Sequence, residues 1–214
     1  MIVAGAVCPA PPLLLPELAG RDDVGRELRD ASVRAVADLV ASRPAVLVVV
    51  TVEDPVRSPS VAERVAELLV STALAAAGPA DQPRVEHLVV PADADAAHLE
   101  KLAQPLVERP ERAALLVLGE GSARRSEKAP GYLDPRAAAY DAVTRTALAT
   151  PDPDALLAQD VELADTLLAA GHRALVVLAA VMRDTAPAPT GDLRWDDDPF
   201  GVQYFVVVWS CASS

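Results

Sequence analysis

The chain has 214 residues and a formal net charge of −12; 51% of it is apolar but only 3% aromatic. It is long enough for one sizeable core, which Ala, Val and Leu must fill. The charge excludes nucleic acid as a partner, because the phosphates would be repelled, and it disfavours anionic membranes.

Ile2 to Cys8 reads as a buried first strand that Pro9 ends. The apolar start lacks a basic leader, and no apolar run approaches the roughly 20 residues that span a bilayer. Pro9-Ala10-Pro11-Pro12 is a stiff extended turn, placed to present Ala10 into a crevice. From Asp22 to Ser42 the spacing of Val24, Leu28, Ala31, Ala35 and Leu39 predicts an amphipathic helix, stopped by Pro44. Ala45 to Val52 has the β-branched run of a parallel strand covered on both faces, and it ends at Glu53-Asp54-Pro55. Val61 to Ala77 is a helix closed by Gly78-Pro79.

Arg84 to Val90 is a third strand, and Asp95 to Arg109 a helix ended by Pro110. Ala113 to Leu118 is a strand that runs into a long polar loop, Gly119 to Asp134. Pro135 to Thr150 reads as a helix with proline in its first turn. Pro151 to Asp154 is a break whose aspartates cap a helix from Ala155 to Ala170, and Gly171-His172-Arg173 reads as its stop. Ala174 to Met182 is apolar on every side and fits a strand or a helix equally. A surface loop over 186–191 leads to a short strand, Asp192 to Asp196, and then a clear one, Gln203 to Ser210. The alternation predicts one α/β domain over 1–214, a three-layer sandwich with a mainly parallel central sheet and an antiparallel edge.

In such a sheet, ligands bind beyond the strand carboxyl ends. The loop after Leu118 carries Glu120, Ser122, Arg124, Arg125 and Lys128, three of them basic in an acidic chain. These five are the candidate ligand-binding wall for a small polar or anionic molecule. The competing reading is that the cations salt-bridge to nearby acids. Glu53, Asp54 and Glu120 all fall just past strand ends, where carboxylates can bind a divalent cation or move protons; as plain turn residues and caps they would do neither. Ser122 is not in a nucleophile elbow, and no Gly-Lys-Ser/Thr ends the loop, so neither a serine hydrolase nor a P-loop is indicated. His87 and His98 read as surface or structural residues, and His172 as a possible helix-carbonyl cap. Cys8 and Cys211 form neither a disulfide framework nor a metal motif, and a cytoplasmic location follows.

Cys8 to Leu14, Gly119 to Ala137 and Pro199 to Phe205 together resemble the catalytic B subunit of class III extradiol ring-opening dioxygenases. The likeness is nearest to a small actinobacterial branch of that family and extends to Memo-like proteins. It covers nearly the whole chain, with the motifs in the same order. The resemblance implies a ferrous iron held by two histidines and a glutamate, and a further catalytic histidine. It puts Ala10 at the first ligand position, Asp54 nearest the second, Ala123 (after Ser122) at the catalytic one, and His172 or Arg173 near the glutamate. Alanine can neither ligate a metal nor move a proton, so no cofactor is expected and ring cleavage is expected to be lost. The alternative is an enzyme with a remodelled site, in which Asp54, Glu120 and His172 bind Fe(II) or another divalent metal. A homo-oligomer is a further expectation, with the Trp209 strand pairing at a sheet edge.

Overall fold

The computed structural model describes residues 1–20, 22–78 and 82–211. Strands β1 (Ile2–Cys8), β2 (Val46–Val52), β3 (Arg84–Val90), β4 (Ala113–Leu118), β5 (Thr190–Asp197) and β6 (Tyr204–Ser210) form one sheet in the order β3-β2-β4-β1-β6-β5. The first four are mutually parallel, and β6 runs antiparallel to both β1 and β5. Helices flank it: α1 (Arg26–Ala41), α2 (Val61–Ala76), α3 (Ala96–Val107), α4 (Ala137–Ala149), α5 (Pro153–Leu157), α6 (Val161–Thr166) and α7 (His172–Met182). The fold is therefore the expected α/β three-layer sandwich with a mostly parallel sheet.

The nearly unbroken apolar runs of the strands have a simple cause, because both faces are covered. Val46, Val48 and Val50 join Leu115, Val117, Phe205 and Val207 in a core that includes α3, α5 and α7. Their alternates Leu47, Val49, Leu116, Val206 and Val208 pack with α1 and α2 on the opposite face. Ala174 to Met182 is a helix; one side packs on β1, β2 and β4 while others meet α3 and α5, which leaves no polar stripe. A third, smaller cluster of Ala137, Tyr140, Ala164, Leu167 and Ala169 joins α4 to α6.

Several boundaries differ from expectation for local reasons. Helix α1 starts at Arg26, not Asp22: Asp23 has φ +40, which interrupts a helical run, and Val24 is exposed. The expected helix from Ala155 to Ala170 is two short helices, because Asp160 accepts from the N–H groups of Glu162 and Leu163 and starts a new one. Gly171-His172-Arg173 is a helix start, not a stop. Helix α3 ends at Val107, before Arg109, and the short penultimate strand begins two residues early at Thr190. The Gly78-Pro79 closure lies partly outside the described residues. Strand β6 is not at an edge: it lies between β1 and β5, and Trp209 is buried with its indole N–H donating to the Leu148 carbonyl at 2.7 Å. Pairing through that strand is thereby ruled out as a route to an oligomer.

Helix α2 starts on a reciprocal capping box. The Ser60 hydroxyl accepts from Glu63 N–H at 3.1 Å, and the Glu63 carboxylate accepts from Ser60 N–H at 2.6 Å. Ser60→Ala is expected to lower unfolding free energy by ~1 kcal/mol in urea denaturation, the usual loss for such a cap. Among the described residues no helix is long and apolar enough to cross a membrane.

Candidate functional site

The chain leaves β1 and β2 toward the α1/α2 face, but it leaves β4 toward the opposite face. Where neighbouring strands send their connections to opposite sides, a gap opens at the carboxyl edge. Here it is a crevice of about 360 Å³. Its walls are Ala10 and Pro12 after β1, Val52 to Pro55 after β2, the first residues of α2, Leu118 to Glu120 at the end of β4, and Ala170-Gly171 before α7. The turns after β1, β2 and β4 thus meet around one space, as the sequence led us to expect.

Two glycines set one wall. A Cβ on Gly171 would lie 1.9 Å from the Gly119 Cα, so the start of α7 touches the exit of β4 backbone to backbone. Gly119 N–H also donates to the Cys8 carbonyl at 2.9 Å, extending the β1–β4 ladder into the crevice.

Glu120 lines this space, half-buried, and its Oε2 accepts from Ala10 N–H at 3.0 Å. That bond ties the β1 turn to the β4 turn. Burial raises the Glu120 carboxyl above its ordinary range, and the Ala10 N–H only partly opposes this. Asp54 also lines the crevice, but its Oδ1 accepts from Val56 N–H at 2.9 Å and Arg57 N–H at 3.2 Å, the job of a turn residue. Glu53 is exposed at the rim.

The remaining loop candidates turn away from the crevice. Ser122 is fully buried: its N–H donates to Asp141 Oδ1 at 2.8 Å, its hydroxyl donates to the Leu167 carbonyl at 2.8 Å, and it accepts from Arg124 N–H at 3.1 Å. Ala123 packs, half-buried, against the α1/α2 core. The Arg124 guanidinium donates to the Thr166 carbonyl at 2.9 Å. Arg125 Nε donates to Asp198 at 2.8 Å and lies 3.7 Å from Asp141. Lys128 is exposed on the loop surface. None of Ser122, Ala123, Arg124, Arg125 or Lys128 lines the crevice. The two arginines staple the loop to α6 and to the β5–β6 turn, Arg125 by the salt bridge of the competing reading and Arg124 by a backbone carbonyl.

His172, the first residue of α7, is buried, and its Nδ1 shares a 3.0 Å hydrogen bond with the Tyr140 hydroxyl. The rings meet edge-on, 6.2 Å apart at 61°. Its Nε2 has no partner among the described residues. Burial pushes this imidazole down to about 4, helped by Arg173, so it is neutral near pH 7; burial pushes the Tyr140 phenol up. Being at a helix start, it caps no helix carbonyls. His87 and His98 are exposed.

Asp141 escaped the sequence reading. It occupies the buried stripe of α4 with Ala137, Tyr140, Thr144 and Leu148, and a charge at such a position was the available signal. Burial raises it to about 6 against the Ser122 N–H and Arg125, and its Oδ2 has no hydrogen-bond partner.

A two-histidine, one-carboxylate iron set does not fit the crevice, since no histidine lines it. Among the described residues no group of three His, Cys, Asp or Glu side chains is placed to hold a metal, and Asp54, Glu120 and His172 form no such group.

No family model matches the chain, and neither does any curated protein. Among solved structures it is similar to the uncharacterized protein JW3007 from Escherichia coli K12, at 16% identity and a TM-score of 0.49, over 97% of this chain and 99% of that one.

Proposed function

We propose that the chain keeps the architecture of class III extradiol dioxygenase catalytic subunits without their iron chemistry, and that its crevice binds a small polar molecule. One observation carries this reading: three strand-end turns meet around a single space whose side chains include no imidazole. Ala10, at the position where the resemblance implies a ligand, faces that space with nothing to coordinate. The basic residues that would favour an anionic ligand do not line it, so a neutral or cationic one is the better match. The remodelled-metal alternative requires Asp54, Glu120 and His172 to meet, but His172 does not line the crevice and the three form no metal-holding group among the described residues.

A cytoplasmic location belongs to the same proposal. Cys8 and Cys211 are both free, and burial pushes the Cys8 thiol up to about 12, the state of a packing residue rather than a nucleophile.

The test is anaerobic titration calorimetry with Fe(II), metal analysis of the purified protein, and a catechol ring-cleavage assay. We expect no stoichiometric tight iron and no cleavage; stoichiometric iron accompanied by cleavage would overturn the proposal. In parallel, a thermal-shift screen of small polar compounds is expected to find stabilisers whose effect disappears in Ala10→Phe, which fills the crevice.

A further inference from the structure

We infer that the crevice takes a small organic cation, an amine on a compact apolar body, whose ammonium group is held by the unengaged oxygen of Glu120. This rests on the crevice being the ligand site proposed above.

Glu120 has one oxygen occupied and one open. Its Oε2 accepts from Ala10 N–H, while Oε1 has no protein partner among the described residues. No Lys, Arg or His lines the same space. A carboxylate drawn out of water without a counter-charge is costly, and only a proton or a cation relieves it. Burial raises the Glu120 carboxyl, and only the Ala10 N–H opposes that. An ammonium would supply it, and a charge-assisted bond in a partly desolvated crevice is stronger than the same bond in water.

The rest of the lining suits the body of such a ligand. Pro12, Val61 and Leu118 present apolar surface, and the two other charged residues, Glu53 and Asp54, are also acidic. Helix α2 offers little to an anion at this wall, because its capping box already uses the N–H groups of Ser60 and Glu63. Helix α7 starts at Gly171 without a side-chain cap, and that end is what could draw an anion instead.

Three probes of one shape separate these pulls: benzylamine, benzyl alcohol and benzoate, titrated into the full chain by NMR near neutral pH and low salt. Benzylamine is expected to bind about tenfold more tightly than the other two, the size of one hydrogen bond to a charged group. Glu120→Gln should erase that preference and leave benzyl alcohol unchanged, and Glu53→Gln should change little. In the unaltered protein, benzylamine affinity should fall as acid protonates Glu120, with benzyl alcohol flat; this holds even if the variant folds poorly. Equal or tighter binding of benzoate or benzyl alcohol would overturn the cation assignment and leave the ligand site standing. No crevice shift with any probe would overturn both.

Discussion

The Gly171→Ala variant is expected to lose about 3 kcal/mol or more of unfolding free energy, at or beyond the upper end for overpacked sites. Its backbone has φ −97, which alanine adopts freely, so conformational strain is not the cause. The cause is proximity: the added carbon would fall 1.9 Å from Gly119 Cα and 2.8 Å from Glu120 N. Both obstacles are backbone atoms at the end of β4, and Gly119 is held in register by its bond to Cys8. No side chain can swing aside, so α7 must back off the sheet and take its core residues Leu175 and Leu178 with it. Urea denaturation checks this. Gly20→Ala is the control, because a Cβ there meets nothing within 4 Å and only its φ of +75 resists the change; a loss of about 1 kcal/mol is expected there. Equal losses at the two sites would show that the backbone contact is not what matters at Gly171.

The second large effect is hidden in the unaltered protein and exposed by substitution. Asp141 has an ordinary value of 3.8 and a folded value of about 6. The folded state therefore favours its protonated form, so its contribution is full below 3.8 and is lost as pH rises through about 6. His172 has an ordinary value of 6.5 and a folded value of about 4. Folding favours its neutral form, so its contribution is full above 6.5 and is lost as pH falls through about 4. Each is worth about 3 kcal/mol across its window, at about 1.4 kcal/mol per pH unit. Between pH 4 and 6 the two slopes have opposite signs and nearly cancel. Asp141→Asn should leave a stability that climbs with pH across that window, and His172→Gln one that declines. Urea denaturation at several pH values reads both slopes directly. If both variants follow the slope of the unaltered protein, burial does not govern these groups.

The strands were legible because a sheet covered on both faces demands apolar residues at every position, as in Val46 to Val50 and Leu115 to Leu118. The meeting of the turns at one edge followed from the parallel order. What stayed hidden depends on partners distant in the chain. Gly171 looked like a helix stop because glycine often serves there, and only its contact with Gly119 reveals another reason for it. Arg124 and Arg125 looked available to a ligand because Thr166 and Asp198, their partners, lie 42 and 73 residues away. Glu120 follows a strand end and lines the crevice, but the bond that orients it comes from Ala10, 110 positions earlier.

The residues just before β6 hold one wall of the crevice in place. Gly121 N–H donates to the Gln203 carbonyl and Gln203 N–H donates to the Ser122 carbonyl, so the turn carrying Glu120 is pinned by residues just before β6. The shape of the crevice therefore depends on a backbone clasp to Gln203, 82 positions beyond the Gly121 that it holds.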